Sequence, residues 1–93
     1  MKKRTACITG ASSGIGREMA KKLSALGYNL ILVSRNTKAL KELAQTLDTD
    51  CEIYACDLSD GKSCIKLGRK LSKRNDIFVF INNAGFGDIG DFE

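Results

Sequence analysis

Short apolar runs alternate along this chain with amphipathic stretches, and the alternation predicts its architecture. Residues 5–9 (TACIT) read as a strand that runs into a glycine-rich turn. Over residues 15–26, Ile15, Met19, Leu23 and Leu26 recur at spacings of four, four and three, which predicts one face of a helix stopped at Gly27. Residues 29–34 (NLILVS) are almost continuously apolar, as a strand covered on both faces of a parallel sheet requires. Leu40, Leu43, Ala44 and Leu47 then match the i, i+3, i+4, i+7 template of a second helix. A third strand is predicted over residues 51–56 (CEIYAC). After it comes a third helix, capped by Ser59, with Cys64, Leu67, Gly68 and Leu71 on its apolar face. Gly68 weakens that helix by about 1 kcal/mol relative to alanine. Residues 77–81 (IFVFI) complete the set as a fourth buried strand.

Strands separated by helices of this length mark βαβ units, so the fold class is α/β with a parallel sheet of Rossmann type. Right-handed crossovers favour the strand order 3-2-1-4, with strands 1 and 4 adjacent where the order reverses. Ligands of such sheets bind beyond the carboxyl ends of the strands, where the glycine loop after strand 1 and the NNAG segment after strand 4 both fall. Ninety-three residues allow a single domain, 1–93, with no linker, repeat or low-complexity segment. A chain of this size buries roughly 60–65% of its surface, so its core is marginal.

Composition narrows the function classes. With 43% apolar and 28% charged residues, the chain is an ordinary globular one rather than a disordered one. Its formal charge is +4, with basic residues spread over Lys2-Lys3-Arg4 and the polar faces of three helices. No aromatic residues interleave with those charges to stack on bases, so they read as solvated helix faces and not as a nucleic-acid surface. The four cysteines, Cys7, Cys51, Cys56 and Cys64, form no CxxC pair, and there is no histidine, so no metal site is expected. The run after the basic N-terminus is too short and polar for a signal peptide and no stretch approaches a transmembrane length, so neither is expected. A reduced, cytoplasmic protein without a membrane partner is expected.

The first chemistry-bearing feature is TGASSGIG, residues 9–16, between strand 1 and helix 1. Gly10 permits a tight turn out of the strand, Gly14 lets the backbone approach a pyrophosphate, and Gly16 allows close packing of the helix on the sheet. Amides at the helix start, with the helix dipole behind them, form an anion site. No Gly-Lys-Ser/Thr follows, which excludes a Walker loop.

The octapeptide resembles the TGxxxGxG motif of the short-chain dehydrogenase/reductase family. NNAG at 82–85 resembles that family's second motif, and Asp57-Leu58 its adenine-contacting position. The resemblance covers the whole chain and corresponds to the N-terminal half or less of a family member. It implies that Gly10, Gly14, Ile15 and Gly16 hold the pyrophosphate of a nicotinamide dinucleotide, with Ser12 and Ser13 of the same loop among the cofactor-binding residues. It further implies that Asp57 accepts from the adenine amino group while the Leu58 amide donates to a ring nitrogen. Asn82 and Asn83 would stabilise the central sheet, and the backbone of Asn83, Ala84 and Gly85 would line the ribose site.

NAD-preferring Rossmann proteins place a carboxylate at the end of strand 2. Here that strand ends Val33-Ser34-Arg35-Asn36. A guanidinium pairs with a 2′-phosphate that a carboxylate would repel, so Arg35, aided by Ser12 and Asn36, points to NADP(H).

The family transfers hydride between cofactor and a carbonyl or alcohol, using a tyrosine and a lysine four residues later. Here Tyr28 and Tyr54 are followed at that distance by Leu32 and Leu58. The resemblance therefore implies the NADP(H)-binding part of an oxidoreductase whose catalytic residues are absent from these 93 positions, inactive by itself. The alternative is a catalytically dead fragment that binds nucleotide or self-associates. A homodimer is expected through an exposed, apolar strand-4 edge, with Phe78, Phe80, Phe86 and Phe92 covering bare surface.

Overall fold

A computed structural model describes residues 4–12, 14–57 and 60–82. Its elements are β1 (Thr5–Thr9), α1 (Gly14–Ala25), β2 (Asn29–Ser34), α2 (Thr37–Gln45), β3 (Cys51–Ala55), α3 (Gly61–Ser72) and β4 (Ile77–Asn82). All neighbouring strands are parallel and lie in the order β3-β2-β1-β4. This is the order expected from right-handed crossovers.

The sheet is covered on both faces, which accounts for the continuous apolar character of β1 and β2. On one face Ala6, Ile8, Leu30 and Leu32 meet Ala20 and Leu23 of α1 and Leu40 and Leu43 of α2. On the other, Cys7, Ile31 and Val33 meet Leu71 of α3, with Leu67, Tyr54 and Phe80 packed around them. Neighbours along a strand alternate between the faces, so the two helical layers read opposite halves of the same strands.

Four sequence-based expectations are corrected. Helix α1 does not bury the Ile15, Met19, Leu23, Leu26 stripe: Ile15 and Leu26 are 71% and 74% exposed. The stripe that faces the sheet is Gly16, Ala20, Leu23 and Ser24, because small side chains let the helix axis come close to the strands. The cap of α3 is Asp60 rather than Ser59, which lies outside the described residues. Asp60 accepts from the Lys62 amide at 3.1 Å and from Ser63 Oγ at 3.1 Å. Its carboxylate also suits the positive end of the helix dipole. Strand β3 stops at Ala55, although Cys56 beyond it is buried. Finally, β4 is not uniformly buried. The register against β1 shifts between Thr5↔Ile77 and Ala6↔Val79, leaving Phe78 as the extra residue of a bulge and 60% exposed. The Arg4 guanidinium lies 5.2 Å from the centre of the Phe78 ring.

The α1 stop at Gly27 is as expected. Its φ of 95° lies in the left-handed region, and the Tyr28 amide returns to the Leu23 carbonyl at 3.0 Å.

At the amino ends of the strands Arg74 is clamped by two carboxylates. It donates to both oxygens of Asp76 at 2.9 and 2.8 Å and to both of Glu52 at 2.7 and 2.8 Å. Thr5 Oγ1 donates to Asp76 at 2.8 Å and Tyr54 to Glu52 at 3.0 Å. These bonds hold the Asp76 carboxyl well below the usual carboxylate range, with Arg74 the larger cause and Thr5 the next. This network joins β3, β1 and the approach to β4 on the edge opposite the glycine loop, leaving the carboxyl edge to carry the site.

Candidate functional site

The site is built from three strand ends. β1 delivers the loop that begins at Gly10, β2 delivers Ser34, Arg35 and Asn36, and β3 delivers Cys56 and Asp57. The loop is tied down before any ligand is considered. The Gly10 amide donates to the Val33 carbonyl at 2.9 Å and the Ala11 amide to the same oxygen at 3.4 Å. Those two donors are directed at β2, which leaves the amides at the start of α1 as the segment's candidate donors to an anion.

Gly14 opens α1 with φ of 58°, in the left-handed region that side chains other than glycine seldom adopt. A Cβ built there would meet no atom within 4 Å. Glycine is thus required at this position by backbone conformation, not by crowding within the chain, and it keeps the space over the helix start clear. Gly16, by contrast, is buried on the sheet side of α1. Ile15 stands between them with its side chain in solvent, so at this position the helix start offers a backbone amide beside an unpacked side chain.

Ser34 joins the three strand ends. Its Oγ donates to Ser12 Oγ at 2.9 Å and accepts from the Asn36 amide at 3.1 Å. Its carbonyl accepts from the Cys56 amide at 3.2 Å, which carries the β2–β3 pairing past the end of β3. Asn36 is the cap of α2: its Oδ1 accepts from the Ala39 amide at 3.1 Å. The side-chain carbonyl of Asn36 is therefore committed to the helix. Arg35, between these two anchored residues, is 76% exposed, and its Nη1 lies 4.0 Å from Asp57 Oδ2. At that distance and exposure the pair is worth little, and the guanidinium is available to a stronger anion.

Of the residues expected from sequence, Gly10, Ser12, Gly14, Ile15, Gly16, Arg35, Asn36 and Asp57 all fall along this one edge. Ser13, Leu58, Asn83, Ala84 and Gly85 lie outside the described residues, as do Phe86 and Phe92. Ser34 was not singled out by sequence reasoning. A hydroxyl closing an otherwise apolar strand beside a glycine loop is the signal that marks it. Among the described residues no group of three or more His, Cys, Asp or Glu side chains is placed to hold a metal ion. No helix among them is long and apolar enough to cross a membrane.

These features fit a dinucleotide: a helix start kept clear by a left-handed glycine, a weakly held guanidinium and a carboxylate converge at the mouth of a parallel sheet. Comparison with known proteins agrees in kind. The short chain dehydrogenase family model matches residues 4–93. A very-long-chain 3-oxoacyl-CoA reductase of Kluyveromyces lactis is 44% identical over 85 residues, 86% of this chain and 25% of the relative. An uncharacterized oxidoreductase of Staphylococcus epidermidis is 46% identical over 87 residues, 91% of this chain and 37% of the relative. Among solved structures, a short-chain dehydrogenase from Sphingobium yanoikuyae in complex with NADPH superposes with a TM-score of 0.83 at 34% identity. That match covers 88% of this chain and 34% of the other. The chain thus spans about a quarter to a third or slightly more of the proteins it resembles. With its strand order, its glycine loop and a family model that extends over nearly all of its length, the chain belongs to the short-chain dehydrogenase family.

Proposed function

We propose that this chain is the NADP(H)-binding part of a short-chain oxidoreductase that exchanges hydride between NADPH and a carbonyl or alcohol substrate. The observation that carries the reading is Arg35. It is the residue after β2, where an NAD-preferring protein carries a carboxylate, and it stands beside Ser34, bonded to Ser12 of the glycine loop. The NADPH bound by the similar Sphingobium dehydrogenase supports the same cofactor here.

When bound, NADPH supplies the hydride. The chain's own residues bind and orient it. The loop amides of Ser12, Ser13, Gly14, Ile15 and Gly16 would hold the pyrophosphate, with Gly10 shaping the turn. Arg35, Ser12 and Asn36 would hold the 2′-phosphate, Asp57 and Leu58 the adenine, and the backbone of Asn83, Ala84 and Gly85 the ribose. No tyrosine in the 93 residues is followed four positions later by lysine, so we expect the chain by itself to turn over no ketone. Supplied alone, it is also expected to pair with a second copy through β4.

Calorimetric titration with NADPH and NADH tests the reading. We expect NADPH to bind at least about tenfold more tightly, the worth of one charge-assisted hydrogen bond, and Arg35→Asp to abolish that ratio. Equal affinities for the two cofactors in the unmodified chain would overturn it.

A further inference from the structure

The sequence distributes basic residues over three helices, but the fold concentrates their excess on one face. Helix α3 and the residue after it carry Lys62, Lys66, Arg69, Lys70 and Lys73, all exposed, and α3 itself contains no acidic residue. The whole chain has fifteen cations and eleven anions. With these five set aside, ten cations face eleven anions, so the remainder is close to neutral. This single outward face therefore carries +5, and the rest of the chain sums to −1.

Nothing within the described molecule accounts for it. Lys62, Lys66, Arg69 and Lys73 enter no salt bridge among the described residues, and Lys70 lies over the Tyr54 ring at 4.8 Å. Lys62/Lys66, Lys66/Lys70 and Arg69/Lys73 are like charges at i,i+4, a spacing that weakens a helix unless something outside it supplies negative charge. The same side chains and Ile65, which is 58% exposed, line one open furrow of about 460 Å³.

We propose that the outward face of α3 docks on an anionic phospholipid surface. Three features favour a lipid surface over other polyanions. First, four of the five cations are lysines. Lysine is depleted at protein–protein interfaces, where arginine's fixed fork is preferred, but it suits a diffuse layer of headgroup charge. Second, the exposed Ile65 sits among the cations with no acidic residue on the helix, the arrangement of an interfacial segment that lowers one apolar side chain among headgroups while lysines reach to either side. Third, no aromatic side chain lies among those lining the furrow to stack on a base. Clusters of four to eight cations on one amphipathic helix are the size of array that recognises anionic lipid. The glycine loop lies at the carboxyl edge of the sheet and not on this face, so docking leaves it accessible.

Co-sedimentation of the full chain with vesicles of phosphatidylcholine, alone or mixed with phosphatidylserine, tests the proposal. Binding is expected only to the mixed vesicles, and it should fall with added salt. Each cation removed should lower partitioning roughly fivefold. Lys62→Glu puts an acidic residue in the first turn of α3, where it favours the helix, and Lys66→Glu gains Lys70 as an i,i+4 partner of opposite charge, so loss of folding does not confound the result. That double variant should lose binding by far more than Lys22→Glu with Lys41→Glu, which alters net charge equally but on α1 and α2. Ile65→Ser should weaken binding by a part that salt does not affect. Equal losses in the two double variants, or equal binding to both kinds of vesicle, overturn the proposal. So does α3-dependent capture of duplex DNA or of poly-L-glutamate without vesicle binding, which would assign the face to nucleic acid or to an acidic protein.

Discussion

Ser34 Oγ donates to Ser12 Oγ across 2.9 Å, and this bond holds the glycine loop against the end of β2. The two residues are twenty-two positions apart, yet together they set where Arg35 leaves the strand. A cofactor that bridges the loop and Arg35 must find both in register. Ser34 acts here through its neighbours and needs no contact with the nucleotide.

Ser34→Ala should therefore lower NADPH affinity several-fold while reducing stability by about 1 kcal/mol, the worth of a neutral hydrogen bond. Ser34→Thr keeps the hydroxyl and should recover most of the affinity. Calorimetry and urea titration of the three chains check both numbers. An unchanged affinity in the alanine variant would remove the positioning role.

Asp76 makes stability depend on acid. Its carboxyl is held below the usual range by Arg74 and Thr5, so the folded state binds its proton less readily than the unfolded one. The contribution is fully present above the unfolded value near 4 and is lost as pH falls below it. Urea midpoints should drop between pH 5 and pH 3, and the drop should be smaller in Asp76→Asn. At neutral pH that variant should already be less stable by about 2 kcal/mol, since it weakens hydrogen bonds to a charged group.

Cys7 should be inert. It is fully buried in the centre of β1, and burial pushes its thiol up to about 12. Iodoacetamide at pH 8 should leave it unmodified in the folded chain and alkylate it in urea, as mass spectrometry of the labelled peptides would show. The same shift has a consequence at high pH. The unfolded thiol ionises near 9 while the folded one stays protonated, so stability should decline as pH rises from about 9 towards 12.

The outer side of β4 has no strand partner among the described residues, and Phe78 is exposed there at the bulge. Studied as 93 residues, the chain should sediment as a dimer at micromolar concentration. Phe78→Lys, which puts a charge on the edge, should shift it towards monomer. A monomer at all concentrations would exclude this contact.

Much of the architecture was legible in the residues themselves. The apolar runs of β1 and β2, the Leu40, Leu43, Ala44 face of α2 and Gly27 as a stop follow from periodicity and backbone conformation, which are local properties, whereas Leu47 packs on the core from beyond the helix end at Gln45. The strand order followed from them because crossover handedness leaves little freedom. Most of the candidate site was legible too, since a glycine loop between strand and helix is itself a local pattern.

Other features depended on which groups the fold brings near one another. Which stripe of α1 turns inward is decided by how closely the helix must approach the sheet, and Ile15 and Leu26 lost to Gly16 and Ala20 for that reason. The exposure of Phe78 comes from a register shift against β1, which no single strand encodes. Arg74 meets Glu52 from twenty-two residues away, Ser34 finds Ser12 across two strands, and five cations gather on one face while the rest of the charge nearly cancels. Periodicity reports which side of an element is apolar; only packing in three dimensions determines what that side, and the one opposite it, will meet.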